Sequence, residues 1–472
     1  MSNNYIQKLD FVKSKLNQVG KGFCLQKWRN ETLYLHTGDN HSCYHPRPHH
    51  IPVNEIEIDV SALHNTKWKK EQRKIMLEGG RPDECYYCWN IEDLEGEHYS
   101  DRVFHNTSTW LDLDEEIQNI TNNSWDKNYN PHYLELSFSN SCNFKCGYCC
   151  PQSSTQWVDE IKKNGNYDLT YNQYGIEFLS REGSFYNDEE KNPYIQAFWK
   201  WWPDLRKDLR VLRLTGGEAL MHTSTLKLLK MLDESPAPNL ELMLNSNMGV
   251  ANSRVERFCQ DISGLLNEKK IQKFRLFTSI DSWGKHAEYM RQGLDCDLWE
   301  KNINTYLNTV PNSEISFMVT YNILSVAYFR PLLEKILELR NKYNKDSNHQ
   351  RINFDTPYLK EPPHWMINLL PKEEFGKYLD LDLKFIEDNC SESGSNLMKF
   401  GVNEYEKFKR VRDYYYQGGP RITDDLIKRG KRDFYVFFTE FDKRNNINLL
   451  ETFPLYKDFY FECKKVYENY DK

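Results

Sequence analysis

At 472 residues the chain has room for two or three domains, each with an ample core. A formal charge of −7 sets up no general field for nucleic acid or an anionic membrane surface, and 30 Tyr, 25 Phe and 12 Trp supply the burial that a hydrophilic average would otherwise lack. No apolar run reaches the length of a membrane span and Met1–Tyr5 begins no signal peptide, so the twelve cysteines read as metal ligands of a cytoplasmic protein rather than as disulfides.

Apolar residues recur at helical intervals from residue 5 to 20 (Tyr5, Ile6, Leu9, Phe11, Val12, Leu16). Cys24 follows, in FCLQKW. A hairpin is predicted next, with Leu33 and Leu35 alternating, a turn at Gly38-Asp39-Asn40, and a return through Cys43. His36, His41, His45, His49 and His50 crowd this region and read mainly as surface or hydrogen-bonding side chains. A basic helix over Asn65–Leu77 stops at Gly79-Gly80, and ECYYC then supplies Cys85 and Cys88. Cys24, Cys43, Cys85 and Cys88 complete either a tetrahedral zinc site or a fully ligated iron–sulfur cluster, and spacing alone does not separate the two. Residues 90–130 read as connection, with Asp101 and Arg102 capping a helix or solvated.

The stretch Leu134–Gln152, LELSFSNSCNFKCGYCCPQ, organises the rest of the chain. Leu134, Leu136 and Phe138 alternate as one face of a strand, and Ser139, Asn140 and Ser141 break it into a polar loop. That loop carries Cys142, Cys146 and Cys149 at CxxxCxxC spacing; Cys150, directly adjacent, is set aside. Three thiolates can ligate three irons of a cubane and leave the fourth open, as catalysis requires; a zinc loop with a distant fourth ligand is the alternative. Residues 153–200 read as long and irregular, ending in an aromatic helix through Tyr194, Phe198, Trp199, Trp201 and Trp202.

Strands are then predicted at Arg210–Thr215, Leu240–Asn245, Phe274–Asp281, Glu314–Tyr321 and Arg351–Thr356, with helices between them. Together with Tyr133–Ser139 they make six strands alternating with helices, an α/β pattern with a parallel sheet. The first of the five ends in LRLTGGE, where paired glycines let backbone approach closely at the carboxyl end of a strand. Residues 363–472 read as a helical cap or docking region, and Cys259, Cys296, Cys390 and Cys463 as small buried side chains.

A CxxxCxxC loop followed about 70 residues later by a strand-ending GGE resembles the radical S-adenosylmethionine (SAM) superfamily. The resemblance implies a partial (β/α)6 barrel with its active site at the carboxyl ends of the strands. It implies that Cys142, Cys146 and Cys149 hold a [4Fe–4S] cluster whose fourth iron chelates SAM, which is cleaved to a 5′-deoxyadenosyl radical. It further places Tyr148 beside the adenine and Gly216, Gly217 and Glu218 at the methionine amino group. Asn245, Ser246, Asn247, Ser279 and Asp281 would then serve the ribose and Arg291 the SAM carboxylate.

The order of features in the N-terminal region resembles the twitch and SPASM extensions, which hold auxiliary [4Fe–4S] clusters. Four cysteines fit one such cluster, hence a twitch-like domain. Here it precedes the barrel, as in a phage-associated group of twitch-domain radical SAM proteins. The implied layout is a twitch-like domain (1–110), a linker (111–130), a partial barrel (131–362) and a helical region (363–472). The implied function is oxidation or modification of a substrate, with a peptide or protein side chain favoured, and with a reductant such as flavodoxin or ferredoxin. The alternatives are an RNA- or nucleotide-modifying relative, against which the acidic balance speaks, and a non-catalytic zinc or iron–sulfur binding protein.

Overall fold

In the computed structural model, which describes residues 3–108, 112–180, 190–345, 347–391, 394–419 and 421–470, the strands are β1 (Asn30–Tyr34), β2 (Asp39–His41), β3 (His49–His50), β4 (Tyr133–Ser137), β5 (Lys145–Cys146), β6 (Val211–Thr215), β7 (Ala237–Ser246), β8 (Ile271–Ser279), β9 (Arg291–Gln292), β10 (Glu314–Met318), β11 (Ile352–Asp355), β12 (Cys390–Ser391) and β13 (Phe400–Gly401). Nine of them form one sheet in the order β11-β10-β8-β7-β6-β4-β1-β2-β3. From β4 to β11 every neighbouring pair is parallel, and each strand sits beside the next in sequence. Helices Thr223–Glu234, Asn252–Asn267, Cys296–Thr309 and Arg330–Tyr343 connect successive strands, so the predicted α/β alternation is present.

One face of each strand is apolar and buried: Leu134 and Leu136, Leu212 and Leu214, Leu242 and Leu244, Phe274 and Leu276, Ile315 and Phe317. These residues join the crossover helices in the main core. The alternate residues face the other way and are only partly covered, so this sheet has one dry face and one wet face.

The N-terminal hairpin is not separate from this sheet. β1 pairs parallel with β4, from Asn30↔Tyr133 to Tyr34↔Ser137, and the Leu35 N–H donates to the Ser137 carbonyl at 2.9 Å. β1 is thereby a seventh parallel strand, whose carboxyl end lies level with that of β4. A second, smaller core sits beyond it, built from Leu9, Val12 and Leu16 of helix Asn3–Val19 with Trp28, Met76, Val103, Leu113 and Ile120.

Two stretches expected to be irregular are in part helical. Leu113–Thr121 is a helix capped by the Asp112 carboxylate on the Glu115 N–H, and only its Leu113 and Ile120 are buried, too few apolar residues to register as a period. Thr155–Asn164 is a helix that buries Trp157, Val158 and Ile161. Of the region 153–200, residues 181–189 lie outside the described residues, as do residues 392 and 393 of the SESGS stretch.

The C-terminal helices Lys372–Asp388, Val402–Gln417, Asp424–Asn445 and Lys457–Glu468 pack onto the same main core. Phe437 and Phe441 stack near Trp157, and Trp365 lies so close to Gly147 that a Cβ there would fall 2.4 Å from its ring. Among the described residues no helix is long and apolar enough to cross a membrane.

Candidate functional site

The CxxxCxxC loop leaves the carboxyl end of β4 and is pinned by a two-stranded ribbon. In that ribbon Cys146 of β5 lies opposite Arg291 of β9, and the Gly147 N–H donates to the Met290 carbonyl at 2.9 Å. Cys146 is buried, while Cys142 and Cys149 are half-buried. Donors point at the sulfurs: Cys142 Sγ accepts from the Phe144 N–H at 3.4 Å and from Asn247 Nδ2 at 3.9 Å, and Cys146 Sγ from Arg291 Nη1 at 3.6 Å. Burial, reinforced by Cys146, pushes the Cys142 thiol up to about 12. Such sulfurs stay protonated unless a metal draws off the proton, and N–H donors of this kind stabilise the metal-bound thiolate.

The glycines of GGE serve the cysteine loop directly. Gly216 has φ +115°, and a Cβ there would fall 2.5 Å from the Ser139 carbonyl oxygen; at Gly217 it would fall 2.3 Å from that of Ser141. The Gly217 and Glu218 N–H groups donate to those two carbonyls at 3.1 and 2.7 Å. Only glycine lets the two backbones run this close.

Glu218 is fully buried and both its oxygens are engaged: Oε1 accepts from the Leu220 N–H at 3.0 Å and from Ser246 Oγ at 2.7 Å, and Oε2 from the Asn247 N–H at 2.6 Å. The Asn247 side chain continues to Asn143 Oδ1 at 2.8 Å. The ends of β6 and β7 are thus tied to the cysteine loop through one carboxylate.

Asp281, just beyond β8, holds a second tie. Its carboxylate is fully buried and accepts from Arg291 Nε at 2.8 Å and Nη2 at 3.0 Å, from the Thr320 N–H at 2.8 Å, and from the Tyr148 hydroxyl. The Arg291 guanidinium lies 5.5 Å from the centre of the Tyr148 ring. Burial opposes the charge on Arg291, but Asp281 outweighs it and holds the guanidinium above its usual range. Three residues expected around SAM therefore form one hydrogen-bonded unit, with Asp281 and Arg291 buried and Tyr148 half-buried. Breaking such a pair leaves an uncompensated charge, so Asp281→Ala is expected to cost about 3–5 kcal/mol, and replacing Asp281 and Arg291 together by apolar residues to recover part of that. Urea unfolding of the single and double variants measures both; equal loss in both would contradict it.

The wet face of the sheet carries charged residues that the sequence reading passed over. Arg213 donates from Nε to Asn245 Oδ1 at 3.0 Å, lies 3.9 Å from Glu135 Oε2, and stacks 4.6 Å from the Phe277 ring centre. Arg275 sits 3.1 Å from Glu314 and 3.5 Å from Glu241. Lys407, from helix Val402–Gln417, pairs with Asp355 at 2.8 Å. Arg213, Arg275, Phe277, Glu314, Asp355 and Lys407 border a chamber of about 500 Å³. Ser279 ends β8, two residues past Phe277 on the same face. The available signal was the alternation itself. Parallel strands covered on both faces read as continuous apolar runs, whereas LRLT, ELMLN and EISFM alternate.

Cys24, Cys43, Cys85 and Cys88, drawn from three separate segments, line one pocket together with His45, Asp101 and Arg102. Backbone N–H groups of Gln26 and His45 face the sulfurs of Cys24 and Cys43, and Ser100 and Arg102 face that of Cys88. Burial, set against the attraction of Lys27, pushes the Cys85 thiol up to about 12. Asp101, in the first turn of helix Asp101–Phe104 and partly exposed, pairs with His45 at 2.6 Å, whereas Arg102 is buried rather than solvated, pairs with Glu92 and donates to the Phe23 carbonyl at 2.9 Å. Tyr44, next to Cys43, reaches the wet sheet face, where its hydroxyl donates to Glu135 at 2.8 Å and meets the Tyr133 hydroxyl at 2.9 Å. Of the histidines, His36 is buried and its burial lowers it to about 4, while His50 pairs with Asp39 at 3.2 Å. Cys259, Cys296 and Cys463 are buried in the main core.

No family model matches the chain. It is 26% identical over 221 residues to the GTP 3′,8-cyclase of Sulfurimonas denitrificans (strain ATCC 33889 / DSM 1251), an alignment that covers 45% of this chain and 57% of that protein. The chain thus spans little more than half the length of this relative. The likeness supports the radical SAM superfamily that the cysteine loop and GGE resemble.

Proposed function

We propose that the chain is a radical SAM enzyme with one SAM-binding [4Fe–4S] cluster at Cys142, Cys146 and Cys149 and an auxiliary [4Fe–4S] cluster at Cys24, Cys43, Cys85 and Cys88, held in a twitch-like domain ahead of a partial barrel. One observation carries the reading: the three-cysteine loop stands at the carboxyl end of the first of six consecutive parallel strands, braced by GGE from the second and by Asp281 after the fourth. When bound, the cluster and SAM supply a 5′-deoxyadenosyl radical that abstracts hydrogen from the substrate. The chain's own residues bind, orient and exclude water. Gly216 to Glu218 shape the loop that holds the irons. Asn245, Asn247 and Ser279 stand at the strand ends where the nucleoside would lie, and Tyr148 would flank its base. Trp365 and the aromatic residues of helix Asp424–Asn445 close the loop's far side.

The four sulfurs that line the N-terminal pocket are the donor set of a cubane whose irons are each capped by one thiolate, or of one tetrahedral zinc ion, and the order of the segments, which resembles a twitch domain, favours the cluster. The substrate in this reading is a peptide or protein side chain, the reductant a flavodoxin or ferredoxin, and the compartment the cytoplasm. The likeness to a GTP 3′,8-cyclase favours a nucleotide-modifying enzyme as the second reading.

Anaerobic reconstitution followed by iron, sulfide and zinc analysis tests the metal assignment. About eight irons per chain with matching sulfide is the expected result. Stoichiometric zinc with little iron would overturn the enzyme reading.

A further inference from the structure

The chamber on the wet face of the sheet is nearly neutral by construction. Its charged lining comprises Arg213, Arg275 and Lys407 against Glu314, Asp355 and Glu404, three cations and three carboxylates. Each of those cations already has an acidic partner: Arg213 has Glu135, Arg275 has Glu314 and Glu241, and Lys407 has Asp355. Glu404 in turn is held by Arg340 at 2.6 Å and by the Phe354 N–H at 2.9 Å. Lys273, at the foot of β8, is also spent on Glu314. A polyphosphate is recognised by cations or N–H groups in excess of local negative charge. In this chamber an incoming phosphate would meet carboxylates beside every guanidinium and ammonium, in partly dehydrated surroundings where like charges repel strongly.

We propose that this chamber takes a polar substrate whose charges balance, such as a zwitterion or an amide-rich peptide segment, and that Glu314, Asp355 and Glu135 are specificity-determining residues that exclude nucleoside polyphosphates by cancelling Arg275, Lys407 and Arg213. The inference rests on reading the strand ends as the SAM site, with the chamber as the place of the substrate. It separates this chain from the GTP-using relative on the evidence of its own side chains. Asn353 and Asn403, which also line the chamber, add amide groups that recognise peptide-like donors and acceptors without charge.

Equilibrium dialysis of labelled GTP against the full reconstituted chain with SAM tests the inference without needing turnover. The wild-type protein is expected to show no saturable GTP binding at millimolar concentration. The double variant Glu314→Gln/Asp355→Asn, shown folded by circular dichroism, frees Arg275 and Lys407 and is expected to gain at least about tenfold in affinity, with inorganic tripolyphosphate competing. The single Asp355→Asn variant, at the chamber's edge, serves if the double variant does not fold, and a smaller gain in the same direction is expected. Saturable micromolar binding of GTP to the wild type, displaced by tripolyphosphate, would overturn the proposal. So would folded variants that gain nothing. Failure of the radical SAM reading would be seen separately, as absent SAM cleavage.

Discussion

Reconstituted protein reduced with dithionite under anaerobic conditions is expected to release 5′-deoxyadenosine from SAM, and Cys142→Ala, Cys146→Ala and Cys149→Ala are each expected to abolish that release. The loop offers three thiolates for three irons, so loss of one leaves a second iron uncapped and the cluster without a stable seat. Cys150 is the internal control. It is half-buried, with its sulfur 3.8 Å from Ser153 Oγ and against that of Cys149, but it lies outside the CxxxCxxC spacing and a cubane that also binds SAM takes three thiolates, so Cys150→Ala should leave cleavage intact. Glu218→Ala is expected to behave differently again. Glu218 donates nothing to the cysteines but holds Leu220, Ser246 and Asn247 in place, and Asn247 in turn faces Cys142 Sγ. Iron should remain while SAM affinity falls, because truncating a buried acceptor of this kind strands its donors. Chromatography of the nucleoside product and iron analysis of each variant check all five outcomes. Cleavage retained by any one of the three cysteine variants would mean that the cluster sits elsewhere.

The fold was legible wherever a strand and its following helix each carried enough apolar residues to show a period. Six strands from Tyr133 to Asp355 were found with boundaries shifted by no more than three residues, because Leu, Phe and Ile at alternate positions mark the dry face. What escaped was information held only in three dimensions. The parallel pairing of β1 with β4 joins residues about a hundred positions apart, and nothing local in NETLY distinguishes a hairpin that stands alone from one that extends a sheet. Leu113–Thr121 went unread because a short helix that buries two residues has almost no hydrophobic signal. At the site, the identities of Asp281, Arg291 and Tyr148 were visible, but their mutual contact was not, since a bidentate pair across ten residues leaves no mark in spacing. Glycine at 216 and 217 was read as room for a ligand; the backbone that comes close is that of the cysteine loop. The chamber charges were visible as alternation, yet a polar residue inside a strand is easily assigned to solvent when the sheet's second face is not in view.

The second large effect separates the two cysteine sets. Replacing both Cys85 and Cys88 with alanine is expected to remove about half the iron while the cluster at Cys142, Cys146 and Cys149 remains, because the two sets lie in separate segments with separate ligands. The structure explains why the remaining half should survive. Cys85 and Cys88 belong to Asp83–Cys85 and helix Tyr86–Glu92, which pack with the smaller core, whereas the other loop is braced by β6, β7, β9 and Asp281 in the larger one. Abortive SAM cleavage should therefore persist, and turnover of the true substrate should fail. Loss of the metal also leaves Lys27 with fewer anionic neighbours. Burial opposes its charge, and Cys85 and Glu84 are the partners that hold its ammonium above the usual range. The double variant is accordingly expected to lose stability as well, in the direction seen when small metal-stabilised domains lose their ion. Circular dichroism and urea unfolding read that loss, and a folded variant is required before the iron figure counts. A folded variant with unchanged iron and depleted zinc would replace the auxiliary cluster by a structural zinc site. A folded variant stripped of all its iron would instead mean that the three-cysteine cluster depends on the N-terminal pocket, through β1 or through the Tyr44 contact to Glu135 that joins the two regions.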